Sequence, residues 1–362
     1  MPLATSAPAK TWRLGTIEGF FGRSWSWQAR SEHVRFLAAQ GFNSYVYAPK
    51  SDSCLRKQWQ TAHDAADIAR LAALAAECRT LGIEFGIGLS PYELYRHFDT
   101  AHAAQLAAKL QQLNAVGADT LCILFDDMTG DLAGLAARQA AIMDCVQQHS
   151  SARRFVLCPT YYSSDPLLAK LFGSPPERYL EELGELLAPH IDIFWTGPKV
   201  ISQEYPRPHL EDVALRLRRK PLLWDNYPVN DAKRLTPFLH LLPFRRDAAE
   251  LRELCTGHLA NPMNQAALSQ IPLHTLAQLY RGAQAAPNTL LQEACAALVP
   301  PALARALIED AAAFQQQGLD RFTPERHAAL LQRYESLLPA AAAMEVVDWL
   351  RGGYAFDPAC LT

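Results

Sequence analysis

The chain has 362 residues, of which 49% are hydrophobic and 20% charged, and its formal net charge is −3. This composition is that of an ordinary globular protein, so it excludes global disorder. The charge balance, with no basic stripe and no nucleic-acid-binding motif, argues against a DNA or RNA partner. The length exceeds what one hydrophobic core usually sustains, which predicts one large domain with a smaller appendage.

Eight short segments are rich in β-branched, aromatic or leucine residues and end in polar, glycine or proline residues, which is typical of buried strands. They span residues 12–18, 42–48, 83–89, 120–126, 154–159, 191–195, 221–226 and 256–261. Most intervals have helical periodicity, and the two clearest helices are followed by natural stops at Gly82 and Gly117. Strand and helix alternating eight times predict a closed parallel (β/α)8 barrel.

After Asn264 only helical periodicity is found, and it continues to the C-terminus. We therefore predict two domains, a catalytic (β/α)8 barrel over residues 1–264 and an all-helical appendage over residues 265–362. The sequence leaves three roles open for the appendage, which could be a packing cap, the surface of a homodimer or part of a substrate groove.

Eight cysteines are spread along the sequence, and none forms a C-x-x-C pair. Cys122 and Cys158 lie in apolar runs, as expected for packed, reduced thiols and not for a disulfide framework or a zinc site. The first residues lack the apolar core of a signal peptide, and no apolar run reaches membrane-spanning length. We therefore expect a cytoplasmic protein with no membrane partner, although a chain trimmed of its leader would look the same.

Polar and aromatic side chains follow the predicted strands at the end where barrel enzymes place their catalytic groups. Carboxylates and amides bind sugar hydroxyls, and aromatic rings cover the apolar face of a sugar. The strand ends therefore predict a sugar site on one rim of the barrel. The residues found there include Gly19, Lys50, Asp126, Asp127, Tyr162, Asn226, Asp231 and Asn261.

The adjacent acids Asp126 and Asp127 are the sharpest feature, because they directly follow the apolar run 121–125. Neighbouring side chains on a strand point to opposite faces, so both acids enter the barrel mouth only if the backbone leaves the β pattern here. Alternatively, one of them could cap a helix that starts near residues 129–131. A metal site is a further alternative, but no histidine or additional acid has ligand spacing around the pair.

Two carboxylates can hydrolyse a glycosidic bond when they flank it. Neighbours at one strand end approach the bond from the same side, which makes this arrangement awkward. A simpler division of roles is that one Asp protonates the leaving oxygen while the other holds a substrate group that attacks. The 2-acetamido carbonyl of an N-acetyl sugar is such a group, and substrate-assisted hydrolysis is a known exception to the two-carboxylate scheme.

At these residues the sequence resembles glycoside hydrolase family 84, which contains bacterial hexosaminidases and the protein O-GlcNAcases. The match spans nearly the whole barrel, in family order, and is specific as a set although each motif alone is weak. The matching segments are GTIEGFFGRSW (15–25), YVYAPKSD (45–52), LFDDMTGD (124–131), CPTYYSSD (158–165), IFWTGPKVIS (193–202), WDNYPVND (224–231) and NPMN (261–264).

The resemblance implies that Asp126 binds and orients the acetamido N–H, and that Asp127 is the general acid and then the general base. The acetamido oxygen attacks the anomeric carbon, and water opens the resulting oxazoline with net retention of configuration. Tyr162 matches the family's tyrosine beside the acetamido group. The other sugar-binding positions match the Gly19 backbone, Lys50, Asp231, Asn261 and, next to the catalytic pair, Asn226.

These residues also have ordinary structural interpretations. Lys50 could be a solvated loop charge, Asp231 could cap a short helix, and Trp195 could equally line the pocket or pack in the core. Two positions depart from the family pattern, since Phe21 stands where a Tyr is usual and Ala232 follows Asp231 in place of the customary Tyr.

The sequence thus predicts a retaining β-N-acetylglucosaminidase that cleaves terminal β-linked GlcNAc from a glycoconjugate, with no metal and no cofactor. Alternatives are a non-catalytic GlcNAc-binding barrel and a glycosidase of another aglycone class, such as a hyaluronidase-like enzyme. A phosphate-binding barrel enzyme is a further alternative, but it would need a glycine-rich cradle after its last two strands. This sequence has amides and acids there instead, in WDNYPVND and NPMN. The natural aglycone, whether protein, glycan or polysaccharide, stays open.

Overall fold

The computed structural model describes residues 12–356 and contains eight parallel strands that close into a barrel in sequence order. The strands are β1 Arg13–Glu18, β2 Ser44–Tyr47, β3 Glu84–Leu89, β4 Thr120–Leu124, β5 Arg154–Cys158, β6 Asp192–Trp195, β7 Leu222–Asp225 and β8 Gly257–Ala260. Strand β1 pairs with both β2 and β8, which closes the ring. The predicted (β/α)8 barrel is confirmed, and every strand lies within about two residues of its predicted bounds.

Helices surround the barrel. They are α1 Trp27–Ala39, α2 Ala65–Thr80, α3 Thr100–Asn114, α4 Leu135–His149, α5 Pro166–Phe172, α6 Tyr179–Leu186, α7 Arg207–Leu217, α8 Ala248–Leu254 and α9 Ala266–Tyr280. Asp64 and Asp99 cap α2 and α3 by accepting a backbone N–H of the first turn. Gly82 and Gly117 follow these helices with positive φ angles of 72° and 74°, as expected of stops. Across residues 12–356, no helix is long and apolar enough to cross a membrane.

The strands are buried along almost their whole length, because helices cover the outside of the barrel and side chains fill the inside. Charged groups within this core are paired. Glu18 accepts from Arg30 at 2.7 Å and from the Tyr45 hydroxyl at 2.6 Å, and Arg13 pairs with Asp192. Although Glu18 lies at a strand end, these contacts hold its carboxylate within the core.

The C-terminal region contains helices α10 Pro287–Leu298, α11 Pro301–Gln316, α12 Pro324–Glu335 and α13 Ala341–Leu350. They share a second hydrophobic core around Phe314, Tyr334 and Trp349. Helix α9 contributes to both cores, with Leu273 in the barrel core and Ile271 in the second one. The helical C-terminal region is confirmed, and the domain boundary at residue 264 stays a prediction because α9 belongs to both cores.

A carboxylate of α13 caps the first turn of α9. The two oxygens of Glu345 accept the backbone N–H groups of Ala267 and Leu268 at 2.9 and 2.8 Å. The first N–H groups of a helix have no partner within the helix itself. Burial raises the pKa of Glu345 to about 7. Helix α9 therefore depends on the C-terminal region for its cap.

Replacing Glu345 by alanine should lower the free energy of unfolding by roughly 1–3 kcal/mol, because two buried N–H groups lose their acceptor. Urea unfolding followed by circular dichroism measures this change. Glu309→Ala is the matched control, because Glu309 pairs with Arg333 on the exposed surface, where ion pairs contribute little. Equal unfolding midpoints for the two variants would contradict the capping role of Glu345.

Candidate active site

The two neighbouring acids lie where the backbone leaves the strand conformation. Strand β4 ends at Leu124, the Phe125 N–H still donates to Cys158 O at 2.9 Å, and Asp127 has a left-handed φ of 57°. Non-glycine residues seldom adopt this conformation, and those that do cluster at functional sites. Asp126 and Asp127 consequently both line the cleft at the barrel mouth. The backbone thus leaves the β pattern at this point, as is required for both acids to enter the barrel mouth.

Neither acid caps a helix. The next helix, α4, begins at Leu135 and is preceded by Gly134 with a φ of 68°. The helix start near residues 129–131 is therefore wrong. Its physical reason is that the Gly130 N–H donates to Phe172 O at 2.8 Å, which ties this loop to α5 instead of starting a helical turn.

The cleft has a volume of about 790 Å³, which lies in the usual range for small-molecule sites. The predicted site residues converge on it. Lys50 is not among the lining residues and lies behind Asp126, whereas the other seven line the cleft. These seven are Gly19, Asp126, Asp127, Tyr162, Asn226, Asp231 and Asn261.

Lys50 is an internal partner of Asp126. Its Nζ atom lies 2.5 Å from Asp126 Oδ2, and its side chain is only 2% exposed, so the interpretation as a solvated loop charge is wrong. The other oxygen, Asp126 Oδ1, is buried and has no hydrogen-bond partner within residues 12–356. An unpaired buried acceptor is costly, so this oxygen is poised to accept a donor from a ligand.

Asp127 has a different environment. Its Oδ1 atom accepts the Tyr162 hydroxyl at 2.9 Å. Burial, followed by the negative charge of Asp126, raises the pKa of Asp127, and these effects outweigh the opposing ones of Lys50 and Tyr162. The pair thus combines a carboxylate bound to an ammonium group with an acid that holds its proton more strongly than an exposed aspartate does.

Amide side chains connect the ends of β7, β8 and β1. The Asn261 Nδ2 atom donates to Asn226 Oδ1 at 3.0 Å, and the Gly19 N–H donates to Asn261 Oδ1 at 3.2 Å. Trp224 Nε1 donates to the same Asn226 oxygen at 2.9 Å. A Cβ atom at Gly19 would lie 2.5 Å from a Trp224 ring carbon, so glycine is required for this close approach. These contacts fix the orientation of both amides at the cleft.

Asp231 is bound to the loop that follows β1. Its Oδ2 atom accepts the Phe21 N–H at 2.8 Å. Burial, opposed by this hydrogen bond and reinforced by the charge of Asp127, raises the pKa of Asp231 to about 6. The helix that Asp231 would cap is not formed, since residues 233–237 are turns and Pro237 disfavours a helical conformation at the residue before it.

Trp195 packs in the core. It is 1% exposed, does not line the cleft, and donates from Nε1 to His209 Nε2 at 3.0 Å. A position at a strand end shows that a side chain is near the rim, but it does not show which face the side chain takes.

The cleft also contains residues that the sequence did not single out. They include Arg56, Tyr92, Leu167, Leu171, Trp224 and Phe356. Trp224 was visible in the motif WDNYPVND and Tyr92 follows the predicted strand 83–89, whereas Arg56 lies in an irregular segment with no periodic signal. Phe356 comes from the C-terminal region, which therefore contributes to the groove, one of the three roles left open for it.

Asp52, Cys54 and His63 form a cluster whose potential metal-ligand atoms lie within 4.8 Å of one another. The sequence did not predict it, and none of the three residues lines the cleft. His63 already uses both ring nitrogens, Nε2 with Asp52 at 3.1 Å and Nδ1 with Lys109 Nζ at 3.2 Å. A neighbouring ammonium group repels a cation, so the cluster is better explained as a buried charge network. Metal independence stays a prediction.

Glycoside cleavage requires carboxyl groups of unequal proton affinity, one to protonate the leaving oxygen and one that stays charged. Asp127, whose pKa is raised, and Asp126, which is paired with Lys50, lie together at the mouth of a (β/α)8 barrel. This arrangement is the one expected of a glycoside hydrolase.

Comparison with known proteins identifies the family. The model of the β-N-acetylglucosaminidase family matches residues 14–312. The Protein O-GlcNAcases of Rattus norvegicus and Mus musculus are each 31% identical over 282 residues, which cover 75% of this chain and 30% of theirs. The solved structure of a mutant O-GlcNAc hydrolase from Thermobaculum terrenum has 30% identity and a TM-score of 0.75, covering 94% of this chain and 75% of that one.

The chain belongs to the β-N-acetylglucosaminidase family, which confirms the resemblance to glycoside hydrolase family 84. It spans 30% of the length of its two rodent relatives.

Tyr162→Phe should move the alkaline limb of the pH profile of kcat/KM to higher pH. The Tyr162 hydroxyl stabilises the charged form of Asp127, so its removal raises the pKa of Asp127 further and keeps the acid protonated to higher pH. The profile is measured with an aryl N-acetylglucosaminide whose phenol is a poor leaving group. Tyr161→Phe is the control, because its hydroxyl donates to Gly173 O at 2.7 Å. A shift to lower pH, or equal shifts in both variants, would contradict this role.

Proposed function

We propose that this protein removes terminal β-linked GlcNAc from glycoconjugates by substrate-assisted catalysis with retention of configuration. The observation that carries the proposal is the unequal acid pair. Asp126 pairs with Lys50 through one oxygen and leaves the other without a partner among the described residues, while Asp127 is an acid of raised pKa. The names of the relatives, Protein O-GlcNAcase and O-GlcNAc hydrolase, support GlcNAc as the sugar.

In this proposal Asp126 orients the attacking group. Its Oδ1 atom accepts the acetamido N–H of the substrate, which supplies the partner that this buried oxygen lacks. Holding the N–H turns the acetamido oxygen toward the anomeric carbon, so that the attack becomes intramolecular and needs no enzyme nucleophile. The bond from this oxygen to the anomeric carbon forms as the glycosidic bond breaks, which gives an oxazoline in its protonated form, with the N–H still bound to Asp126 Oδ1.

Asp127 transfers the protons of both steps. Its raised pKa favours the protonated form, from which it donates to the departing glycosidic oxygen. As a carboxylate it then takes a proton from the water that opens the oxazoline, which restores the acid. The Tyr162 hydroxyl donates to Asp127 and stabilises the carboxylate that exists between the two steps.

The sugar is held by the remaining predicted residues. The hydroxyl groups of the sugar form hydrogen bonds with Asp231, with Asn261 and with the Gly19 backbone. Asn226 is oriented by Trp224 and Asn261 and lines the same cleft as the acid pair. The Trp224 ring lines the cleft and offers an apolar surface to the sugar face.

The substrate in this proposal is a GlcNAc-bearing glycoprotein or glycopeptide, and no nucleic acid, membrane, metal or cofactor takes part. The seven cysteines in the described part of the chain are free thiols, which favours a reducing compartment such as the cytoplasm. A homodimer stays a prediction, and analytical ultracentrifugation of the full chain measures it.

Asp127→Asn should reduce kcat/KM by ~10²- to 10⁴-fold on substrates with poor leaving groups and far less on activated aryl glycosides. The reason is that a general acid matters in proportion to the proton that the departing oxygen needs. A series of aryl N-acetylglucosaminides with graded phenol acidity measures the dependence. Equal losses across the series would remove Asp127 from the acid role.

Replacing the N-acetyl group by N-trifluoroacetyl should lower the rate steeply, because fluorine withdraws electron density from the attacking oxygen. A glucoside, which lacks the acetamido group, should be almost inert. An enzyme carboxylate nucleophile would be far less sensitive to both changes and would form a covalent glycosyl-enzyme. If fluorination left the rate unchanged and mass spectrometry showed a glycosylated aspartate, the substrate-assisted mechanism would be wrong. The assignment as a glycosidase would not be affected.

A further inference from the structure

Arg56 is a buried cation in the wall of the cleft. It follows the short 3₁₀ helix Ser53–Leu55 and is only 4% exposed. Its guanidinium carbon lies 5.3 Å from the centroid of the Phe21 ring and 5.2 Å from that of Tyr92. Contacts with aromatic faces leave the N–H groups of a guanidinium free to donate at the edge of its plane.

Within residues 12–356, the Nε atom of Arg56 lacks the carboxylate that comparable arginines hold. Arg30 and Arg246 also lie over aromatic rings, and each donates from Nε and Nη2 to both oxygens of a buried acid, Glu18 and Asp225. The buried Nε of Arg56 has no hydrogen-bond acceptor anywhere in the described part of the chain. A buried arginine whose Nε has no acceptor is unusual, because that N–H group is neither solvated nor paired.

The cleft is lined by both acids and cations, and the proposed function uses only the acids. The acids of the lining are those that the proposed function assigns to the sugar, and GlcNAc itself is uncharged. The cations of the lining have no role in that mechanism. They are Arg56, Lys233 and Arg234. The charge of Arg56 also lowers the pKa of Asp127, which places it close to the acid that protonates the leaving oxygen. Arg56 therefore lies on the side of the cleft where the aglycone departs.

We propose that Arg56 binds a carboxylate of the aglycone, donated by an Asp or Glu side chain that flanks the glycosylated residue of a peptide. The inference rests on the proposed function and adds a contact outside the sugar that discriminates between peptides. The free Nε edge matches a carboxylate in the two-bond geometry that Arg30 and Arg246 already adopt.

The apolar surface of α5 favours a peptide over a polysaccharide as the carrier of this carboxylate. Leu167 and Leu171 project from α5 into the lining of the cleft and are 43% and 60% exposed. Phe356 adds a further apolar surface. Apolar surfaces of this kind suit the side chains of a peptide, whereas a polysaccharide would present mainly hydroxyl groups.

The test compares two glycopeptides that differ only in Glu or Gln beside the glycosylated serine, with the variable residue placed on either side. The wild-type protein should prefer the Glu peptide in kcat/KM by about tenfold, the effect of one charge-assisted hydrogen bond. Arg56→Met should abolish this preference, and Arg56→Lys should retain part of it. The ratio of the two peptides cancels any effect of Arg56 on Asp127, because both substrates need the same acid.

Arg252→Met is the matched control, since Arg252 lies over the Trp12 and Tyr280 rings and does not line the cleft. It should leave the preference unchanged. Equal rates of the wild-type protein on the two peptides would overturn the proposal without any variant. It would also fall if Arg56→Met lowered both rates equally and moved the alkaline limb of the pH profile upward, since Arg56 would then act only on Asp127.

Two further outcomes separate this inference from its foundations. If the wild-type protein cleaved neither peptide and no aryl N-acetylglucosaminide, the proposed function would fail first. If it cleaved both peptides equally but preferred a GlcNAc-uronic acid oligosaccharide, and Arg56→Met removed that preference, the peptide assignment would be overturned.

Discussion

The left-handed backbone of Asp127 is the constraint on which the site depends. In a continuous strand the two acids would point to opposite faces, and one of them would be lost to the barrel wall. Strand β4 ends at Leu124 and the chain turns at Asp127, which brings both carboxyl groups to one cleft. Two carboxylates so close together repel each other, and Lys50 offsets this repulsion by pairing with Asp126. The buried lysine and the unusual backbone therefore belong to the same arrangement.

Identical residue types can perform different chemistry here because their surroundings differ. Asp126 is held by an ammonium group, whereas Asp127 is buried beside a negative charge and receives only the Tyr162 hydroxyl. Environment and not residue type sets proton affinity, so a pair of neighbouring aspartates can divide into a charged acceptor and a proton donor. Asp231, with a pKa of about 6 and also affected by Asp127, extends this electrostatic coupling to the loop after β7, which lines the same cleft.

The sequence predicted the barrel and most of the site because both depend on local patterns. Buried strands have recognisable compositions, and the residue after a strand must lie near the rim, which located Asp126, Asn226 and Asn261. The side-chain direction of Trp195 and the failure of a helix to form after Asp231 depend on packing that no local pattern contains. Arg56 reaches the cleft from an irregular segment, and only the tertiary structure shows it.

The C-terminal helices are part of the same construction. Glu345 of α13 caps α9, and α9 begins immediately after the loop that contains Asn261 and Asn264. The Asn264 amide donates to Phe21 O at 2.8 Å, and the Phe21 N–H in turn holds Asp231. A loss of order in α13 would thus be transmitted to the loops that line the cleft. This continuity gives a physical reason why the family match extends beyond the barrel to residue 312: the helices that follow β8 stabilise the rim that forms the cleft.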